Sequence, residues 1–266
     1  MVLKSNEVLT YIAIKNDGDW NAIYNEILEK KNYDAVEVRE TLNNMKCKVV
    51  TILDPEFPKS FNGVSRQPFA LFYYGDISLL SQYEHNVAVV GSRECSPYGE
   101  KMTAKLVREI CHEYNIVSGL AYGIDTVAHK TCLENGGKTI AVLGSGIDYP
   151  YPVRNRELYN IIKEKGLIIS EYPGSILPKP ENFPFRNRII AAISKGLLVG
   201  EAHPHSGSST TAFFSAMLGR DVFCVPYHAD ENSECNRLII DGAVMVENGE
   251  DIIDCLNPFQ KQKNLK

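Results

Sequence analysis

The stretch Val87-Ala-Val-Val-Gly-Ser-Arg93 decides the fold of this 266-residue chain. Four consecutive apolar residues at its start are typical of a parallel β-strand that is buried on both faces. Gly91 allows a sharp turn at the end of that strand, and Ser92 can cap the helix that follows. Arg93 is left at the carboxyl edge, where open α/β sheets bind ligands. The pattern predicts a cation placed to meet a phosphate, or alternatively an arginine paired with a nearby carboxylate.

Apolar strands and helices alternate from this stretch to about residue 240, which favours a doubly wound α/β fold. The predicted strands are 87–90, 116–118, 139–143, 167–170, 197–200 and 222–225. The predicted helices are 97–114, 126–134, a helix opened by 151–155 that runs to 165, 189–194, a helix that follows 211 and runs to 218, and 235–240. Glycine or small polar residues follow nearly every strand, so a ligand could approach the backbone closely at that edge.

The segments before and after these strands and helices predict how the chain is divided into domains. Residues 1–48 carry apolar side chains spaced by three and four, which predicts a small helical N-terminal domain. Residues 49–80 contain apolar runs between prolines and predict one or two strands leading into a main domain of residues 49–257. Within them, Phe72, Tyr73 and Tyr74 could stack on bases, but packing at the joint between domains is the favoured interpretation. Residues 258–266 are predicted to be a polar tail.

Composition limits the function. The net charge is −5, so the chain is not a basic nucleic-acid coat. The charge is uneven, however: residues 151–195 hold eight Lys/Arg against four Asp/Glu, and residues 196–258 hold two against ten. Seven scattered cysteines without a C-x-x-C pair favour a reducing compartment, and no apolar run reaches the length of a membrane span. We therefore expect a cytoplasmic protein with no membrane contact and a local polyanion site.

The segment Ser206-Gly-Ser-Ser-Thr-Thr211 is the first candidate for that site. It enters a helix, whose free amides and dipole favour anions, and its hydroxyls add donors. Ordinary N-capping is the alternative, but capping requires only one hydroxyl. The predicted phosphate contacts are Ser206, Gly207, Ser208, Ser209 and Thr210. Because G-x-G-x-x-G and G-x-x-x-x-G-K-[ST] are both missing, neither an ordinary dinucleotide site nor a Walker ATP site is expected.

Arg186-Asn187-Arg188 is the second candidate, because two arginines around an asparagine can grip a phosphate and a base or ribose edge. Alternatively, one arginine braces Glu171 or Glu201 across the strand ends. Arg154 and Arg156 are weaker candidates.

Other polar residues do not complete a catalytic set. His203 and His205 are two residues apart, but no carboxylate or cysteine makes a recognisable metal site with them. G-x-S-x-G is missing, so no nucleophile elbow is expected. Asp125 and Asp148 each end a G-I-D turn and are expected to orient loop amides or an arginine. We predict no metal, no cofactor and no catalytic residue.

Six motifs, taken together and in order, resemble the DNA-processing protein A (DprA, or Smf) family over about residues 49–246. They are V-G-S-R (90–93), S-G-L-A-Y-G-I-D-T-V-A-H (118–129), G-S-G-I-D with Y-P-V-R-N (144–155), S-E-Y-P (170–173), F-P-F-R-N-R-I-I-A (183–191) and S-G-S-S-T-T-A (206–212).

This resemblance implies an extended Rossmann-like domain that binds single-stranded DNA, protects incoming strands in natural transformation and loads the RecA recombinase. It also implies a homodimer without enzymatic activity. Residue by residue, Arg93 with Gly91 and Ser92 would clamp a phosphate. Arg186, Asn187, Arg188 and the 206–210 loop would line the same pocket, and Arg154 would extend it.

The sequence also departs from the family pattern. Pro226-Tyr227 stands where the family commonly has Pro-Gly, and Cys235 stands where it commonly has Gly. Too few residues follow Asn257 for the winged-helix domain that many members carry. A nucleotide-binding hydrolase of the phosphoribohydrolase type is one alternative, although S-G-S-S-T-T-A lacks the glutamate of its P-G-G-x-G-T-x-x-E loop. A sensor of small nucleotides is the other.

Overall fold

The computed structural model describes residues 3–204 and 206–258, and its sheet confirms the predicted α/β class. Nine strands stand in the order β1-β2-β6-β5-β4-β3-β7-β8-β9. All neighbouring pairs from β6 to β9 are parallel, whereas β1 and β2 are antiparallel to their neighbours. The strands are β1 Lys48–Thr51, β2 Ala70–Gly75, β3 Asn86–Gly91, β4 Asn115–Ser118, β5 Thr139–Val142, β6 Leu167–Ser170, β7 Gly196–Glu201, β8 Asp221–Cys224 and β9 Val244–Met245.

The helices follow the predicted alternation, with differences at several boundaries. They are α1 Ser5–Lys15, α2 Trp20–Glu29, α3 Ala35–Asn43, α4 Ser78–Ser81, α5 Pro97–Ile110, α6 Ile124–Glu134, α7 Arg156–Lys165, α8 Asn182–Ala192, α9 Gly207–Met217, α10 Glu234–Ile240 and α11 Gly249–Leu256. The prediction that α8 begins at Ile189 is wrong by seven residues, so Arg186 and Arg188 are helical. α9 begins at Gly207 and not after Thr211 as predicted, and α4, α11 and the short strand β9 were not predicted.

Strand β3 shows why an unbroken apolar run was needed. Val87 and Val89 join the cluster formed with α5, α6 and α11, whereas Ala88 and Val90 join the cluster formed with α8, α9 and α10. All four side chains are at most 5% exposed. Helices therefore cover both faces of the sheet at this strand, as in doubly wound folds.

The chain reverses its direction of travel across the sheet at β3. Strand β4 pairs with β3 on one side, and β7 pairs with it on the other side, both in parallel. This reversal opens a crevice at the carboxyl ends of β3 and β7, which is where such sheets bind ligands. Gly91 pairs with Glu201 at the ends of the two strands, after a shift in register between Val90 and Gly91.

The N-terminal helices pack on the other part of the sheet. Leu9, Ile12 and Ile23 share one hydrophobic cluster with Phe72 of β2 and Ala141 of β5. Phe72 is fully buried there, in agreement with the favoured packing interpretation of that aromatic run. The proposed division at residue 48 remains a prediction, since both sides of it contribute to one core. The predicted tail extends beyond Pro258, so residues 259–266 of it lie outside the described residues.

Membrane insertion has no candidate helix in the described part of the chain. None of the helices in residues 3–204 and 206–258 has both the length and the hydropathy needed to cross a bilayer.

Candidate functional site

A cavity of about 680 Å³ occupies the crevice at the carboxyl ends of β3 and β7. Its walls come from residues 90–94 after β3, from α8 and from the start of α9. We call it the Arg93 cavity. It brings together the three segments that the sequence analysis selected separately, because all of them follow or flank the same edge of the sheet.

Arg93 stands at the rim of this cavity on a firmly held loop. The amide of Ser92 donates to Glu201 O at 2.7 Å, and the carbonyl of Ser92 accepts from Ile124 N at 3.1 Å. The Arg93 side chain is exposed and lies 5.3 Å from the centroid of the Phe183 ring. No carboxylate among the described residues lies within 4.0 Å of its guanidinium. The charge is therefore available to a ligand.

Arg186 brings a second cation to the wall of the cavity. The side chain is buried, and its Nη1 donates to Gly119 O at 2.8 Å and to Val142 O. Burial, with a contribution from the Arg93 charge, lowers the pKa of Arg186 to about 10, which leaves it protonated at neutral pH. Carbonyl oxygens thus hold this guanidinium in place, and the nearby charge of Asp125 favours its protonated form.

Asn187 ties Arg186 to the start of α9. Its Oδ1 accepts from Arg186 Nε at 3.1 Å, and its Nδ2 donates to Gly207 O at 3.1 Å. The asparagine of the Arg-Asn-Arg motif therefore positions two of the cavity's walls relative to each other.

Arg188 does not reach the cavity. Its Nη1 and Nη2 donate to the two carboxylate oxygens of Glu171 at 2.7 and 2.6 Å, and both side chains are buried. Its remaining bonds go to the carbonyls of Arg66 and Phe185. The sequence left two alternatives for the Arg-Asn-Arg motif, a phosphate contact or an arginine that braces Glu171 or Glu201. For Arg188 the structure shows the brace on Glu171. Its assignment to the DNA pocket is not what the geometry favours, because the carboxylate neutralises the charge.

Only part of the 206–210 segment lines the Arg93 cavity. Ser206 is the N-cap residue of α9, but its side chain makes no cap hydrogen bond, and its buried Oγ has no partner among the described residues. Gly207 and Ser208 line the cavity with it, whereas Ser209 and Thr210 are not on the lining. Ser209 Oγ instead donates to Glu234 Oε1 at 3.1 Å. The first turn of α9, with its positive dipole end, therefore faces the cavity.

Aromatic rings that the sequence analysis did not select complete the rim. Phe183 and Tyr151 both line the cavity, with ring centroids 5.6 Å apart. The F-P-F run directly before Arg186 was the available signal for Phe183. Arg154 is exposed in a turn beside Tyr151 and is not among the lining residues.

Of the two acidic side chains expected to orient loop amides or an arginine, Asp125 does so, whereas Asp148 contacts a tyrosine hydroxyl instead. Asp125 Oδ2 accepts from the amides of Gly119 and Ala121 at 3.1 and 3.2 Å. Burial raises the pKa of Asp125, and the charge of Arg186 opposes that effect. Asp148 accepts from Tyr74 OH at 2.6 Å.

The described residues contain no group of three or more His, Cys, Asp or Glu that could hold a metal ion. His205, one half of the histidine pair considered above, lies outside them.

Comparison with known proteins places this architecture in a family. Residues 48–257 match the family model of DNA recombination-mediator protein A. DNA processing protein DprA of Streptococcus pneumoniae is 43% identical over 205 residues, which cover 76% of this chain and 72% of that protein. Protein Smf of Synechocystis is 38% identical over 223 residues, and here the match spans only 56% of the relative.

Solved structures agree with the sequence comparison. The crystal structure of DprA from Streptococcus pneumoniae has a TM-score of 0.81 at 34% identity and covers 95% of this chain and 98% of that chain. DNA processing protein A from Helicobacter pylori, solved to study its single-stranded DNA binding mode, has a TM-score of 0.72 at 28% identity, with 82% of this chain and 98% of that chain covered. The chain therefore belongs to the DNA recombination-mediator protein A family.

Proposed function

We propose that this chain binds single-stranded DNA in the Arg93 cavity, protects the strand and presents it to the RecA recombinase. The observation that carries the proposal is the meeting of three anion-attracting features around one cavity. They are the unpaired Arg93, the carbonyl-held Arg186 and the first turn of α9. A polymer of phosphates is the ligand class that uses several such contacts at once.

The aromatic side chains favour a single strand over a duplex. Phe183 and Tyr151 lie beside Arg93, so a base can stack on a ring while its phosphate meets the guanidinium. In a duplex the bases are already stacked on each other and their faces are not available. The action we propose is binding without a chemical step, in a cytoplasmic protein.

Exposed apolar side chains on α9 and α10 favour binding of a protein partner. Phe213 and Met217 lie one turn apart on α9 and are 61% and 71% exposed, and Ile240 of α10 is 77% exposed. Exposed apolar side chains of this size are typical of surfaces that bind protein partners. We propose the acidic 196–258 segment, which carries them, as the surface for a homodimer and for RecA.

A mobility-shift titration of labelled single- and double-stranded oligonucleotides tests DNA binding. We expect preference for the single strand and an affinity that falls with salt. Arg93→Ala should weaken binding to every sequence about equally and reduce the salt slope by about 0.7, the share of one phosphate contact. Arg108→Ala is the matched control, because Arg108 is exposed at the opposite end of α5. Equal affinities of the two variants would contradict the proposed site.

Incubation with nucleoside monophosphates tests the absence of a chemical step. We expect no released base, and release at an enzyme-like rate would favour the hydrolase alternative.

Sedimentation tests the assembly. We expect a dimer for the chain and a monomer for Met217→Lys, since a lysine would place a charge in the apolar contact. A RecA strand-uptake assay on the same proteins would show whether loading requires that surface.

A further inference from the structure

His203 lies in the loop between β7 and α9 and lines the Arg93 cavity. Its side chain is 65% exposed, and its Nε2 lies 3.8 Å from Oε1 of Glu201. The loop amide of Ser206 donates to His203 O at 3.2 Å, so the residue is joined to the start of α9. An imidazole is therefore held beside a carboxylate at the mouth of the proposed DNA site.

Glu201 is fixed in place by other groups. The amide and the hydroxyl of Ser96 donate to its Oε2 at 2.9 and 2.6 Å, and Tyr227 OH donates to the same oxygen at 3.1 Å. Tyr227 OH also lies 2.9 Å from Gly200 O, so the Ser96 amide and hydroxyl are the donors that belong to Glu201 alone. The side chain is buried, whereas His203 beside it reaches solvent.

We propose that His203 is a proton-controlled phosphate contact, so that single-stranded DNA is bound more tightly as the pH falls through the range in which histidine gains its charge. The proposal rests on the proposed function. Histidine is the side chain that changes charge between about pH 5 and pH 8. Protonation adds one positive charge at the cavity mouth, next to Arg93, and Glu201 stabilises the imidazolium that forms.

The other charged groups around the cavity come from five elements. They are Arg93 and Glu94 after β3, Asp125 on α6, Arg186 on α8, Glu201 on β7 and, behind the loop, Glu234 on α10. Arginines stay charged and ordinary carboxylates stay ionised above about pH 5.5. Asp125 is the exception to test, because burial raises its pKa and its protonation would also make the cavity more positive.

The experiment measures the affinity of the full chain for a labelled oligothymidine at about pH 5.5, 6.5 and 8 and at several salt concentrations. Thymine carries no group that titrates in this range. For the unchanged chain we expect affinity to rise about three-fold from pH 8 to 5.5, as for an exposed ion pair. The salt slope should become steeper by about 0.7, the share of one further phosphate.

Two substitutions at His203 separate charge from shape. His203→Gln should bind with an affinity that does not change with pH. His203→Lys should bind at pH 8 as tightly as the unchanged chain binds at pH 5.5, because its charge is permanent over this range. Asp125→Asn should keep the pH dependence of the unchanged chain. Circular dichroism on each variant checks that the fold is retained.

Two outcomes would overturn the role of His203: a His203→Gln variant that keeps the full pH dependence, or a His203→Lys variant that gains nothing at pH 8. Arg93→Ala keeps this result separate from the proposed function. If Arg93→Ala binds normally at pH 8, the cavity itself is not the DNA site. If Arg93→Ala loses binding while His203→Gln titrates like the unchanged chain, only the histidine contact is wrong.

Discussion

Arg186 and Arg188 stand two positions apart on α8, yet their guanidinium groups donate to different kinds of acceptor. Arg186 donates to the carbonyl oxygens of Gly119 and Val142 and lines the Arg93 cavity. Arg188 donates to both oxygens of Glu171. Both side chains are about equally buried, at 5% and 3% exposed. The acceptor, rather than burial, therefore distinguishes the two arginines. Glu171 pairs directly with Arg188, whereas Asp125 acts on Arg186 without an ion pair within 4.0 Å among the described residues.

The largest change in stability is expected when Arg188, the arginine paired with Glu171, is removed. Arg188→Ala leaves Glu171 buried without its partner, which typically lowers the free energy of unfolding by about 3–5 kcal/mol. Urea unfolding measures this loss. An Arg188→Met, Glu171→Gln double variant should regain much of the stability, since neither charge then remains buried. If Arg188→Ala instead kept its stability and lost DNA affinity, the contrast between the two arginines would be wrong.

A second prediction concerns the buried histidine near Arg186. His129 Nδ1 lies 2.6 Å from Thr139 Oγ1, which itself donates to Ile116 O, so Nδ1 carries the proton. Burial, assisted by the Arg186 charge, lowers the pKa of His129 to about 3. Below about pH 6.5 the unfolded chain binds a proton that the folded chain does not, so stability falls as the pH drops from about 6.5 towards 3.

That loss should be about 1.6 kcal/mol between about pH 6.5 and pH 5 for this residue. Comparing the free energy of unfolding across this range for the unchanged chain and for His129→Asn isolates it, because the other titrating groups are shared. Identical pH slopes in the two proteins would show that folding does not lower the pKa of His129.

A third, smaller effect is expected from a substitution that displaces the Arg186 side chain without removing it. A Cβ atom at position 119 would lie 2.5 Å from Cζ of Arg186, so Gly119→Ala forces the guanidinium to shift. We expect about 1 kcal/mol of destabilisation from this overpacking and about ten-fold weaker binding of single-stranded DNA, as for the loss of one charged contact. The same mobility shift as above measures it. Unchanged affinity would show that Arg186 only supports the wall of the cavity.

The smallest effect is expected at Arg154. Its side chain is exposed and lies off the cavity lining, so Arg154→Ala should change DNA affinity by less than about two-fold and stability by less than about 0.5 kcal/mol. A loss as large as that of Arg93→Ala would place Arg154 on the path of the strand.

Much of the sheet could be predicted from the sequence, because buried parallel strands are continuous apolar runs whose lengths are set by the glycines after them. The start of α8 could not. Pro184 suggested a loop, but a proline in the first turn of a helix has no hydrogen bond to lose, so α8 begins at Asn182. α11 was missed although Ile252, Ile253 and Leu256 have helical spacing, a signal that was present but not used.

The residues of the candidate site were harder to predict from the sequence than the strands. The sequence placed Arg93 correctly at a strand end, since that position follows from the strand itself. It could not distinguish Arg186 from Arg188, because the choice depends on which atoms of β5 and β6 come opposite each side chain. Two residues on a helix correspond to a rotation of about 200°, so Arg186 and Arg188 point to different sides of α8. Which groups lie on each side is determined only when the helix packs on the sheet.

The two outer strands of the sheet limit how copies of this protein can assemble. β9 has two residues and β1 has four, and β1 opens with the exposed Lys48. Such short, charged borders offer few free backbone groups to an incoming strand, which is how natural sheets resist growing sideways into fibres. Assembly of copies by strand addition is therefore disfavoured, and a variant that lengthens either outer strand is expected to aggregate before it loses DNA affinity.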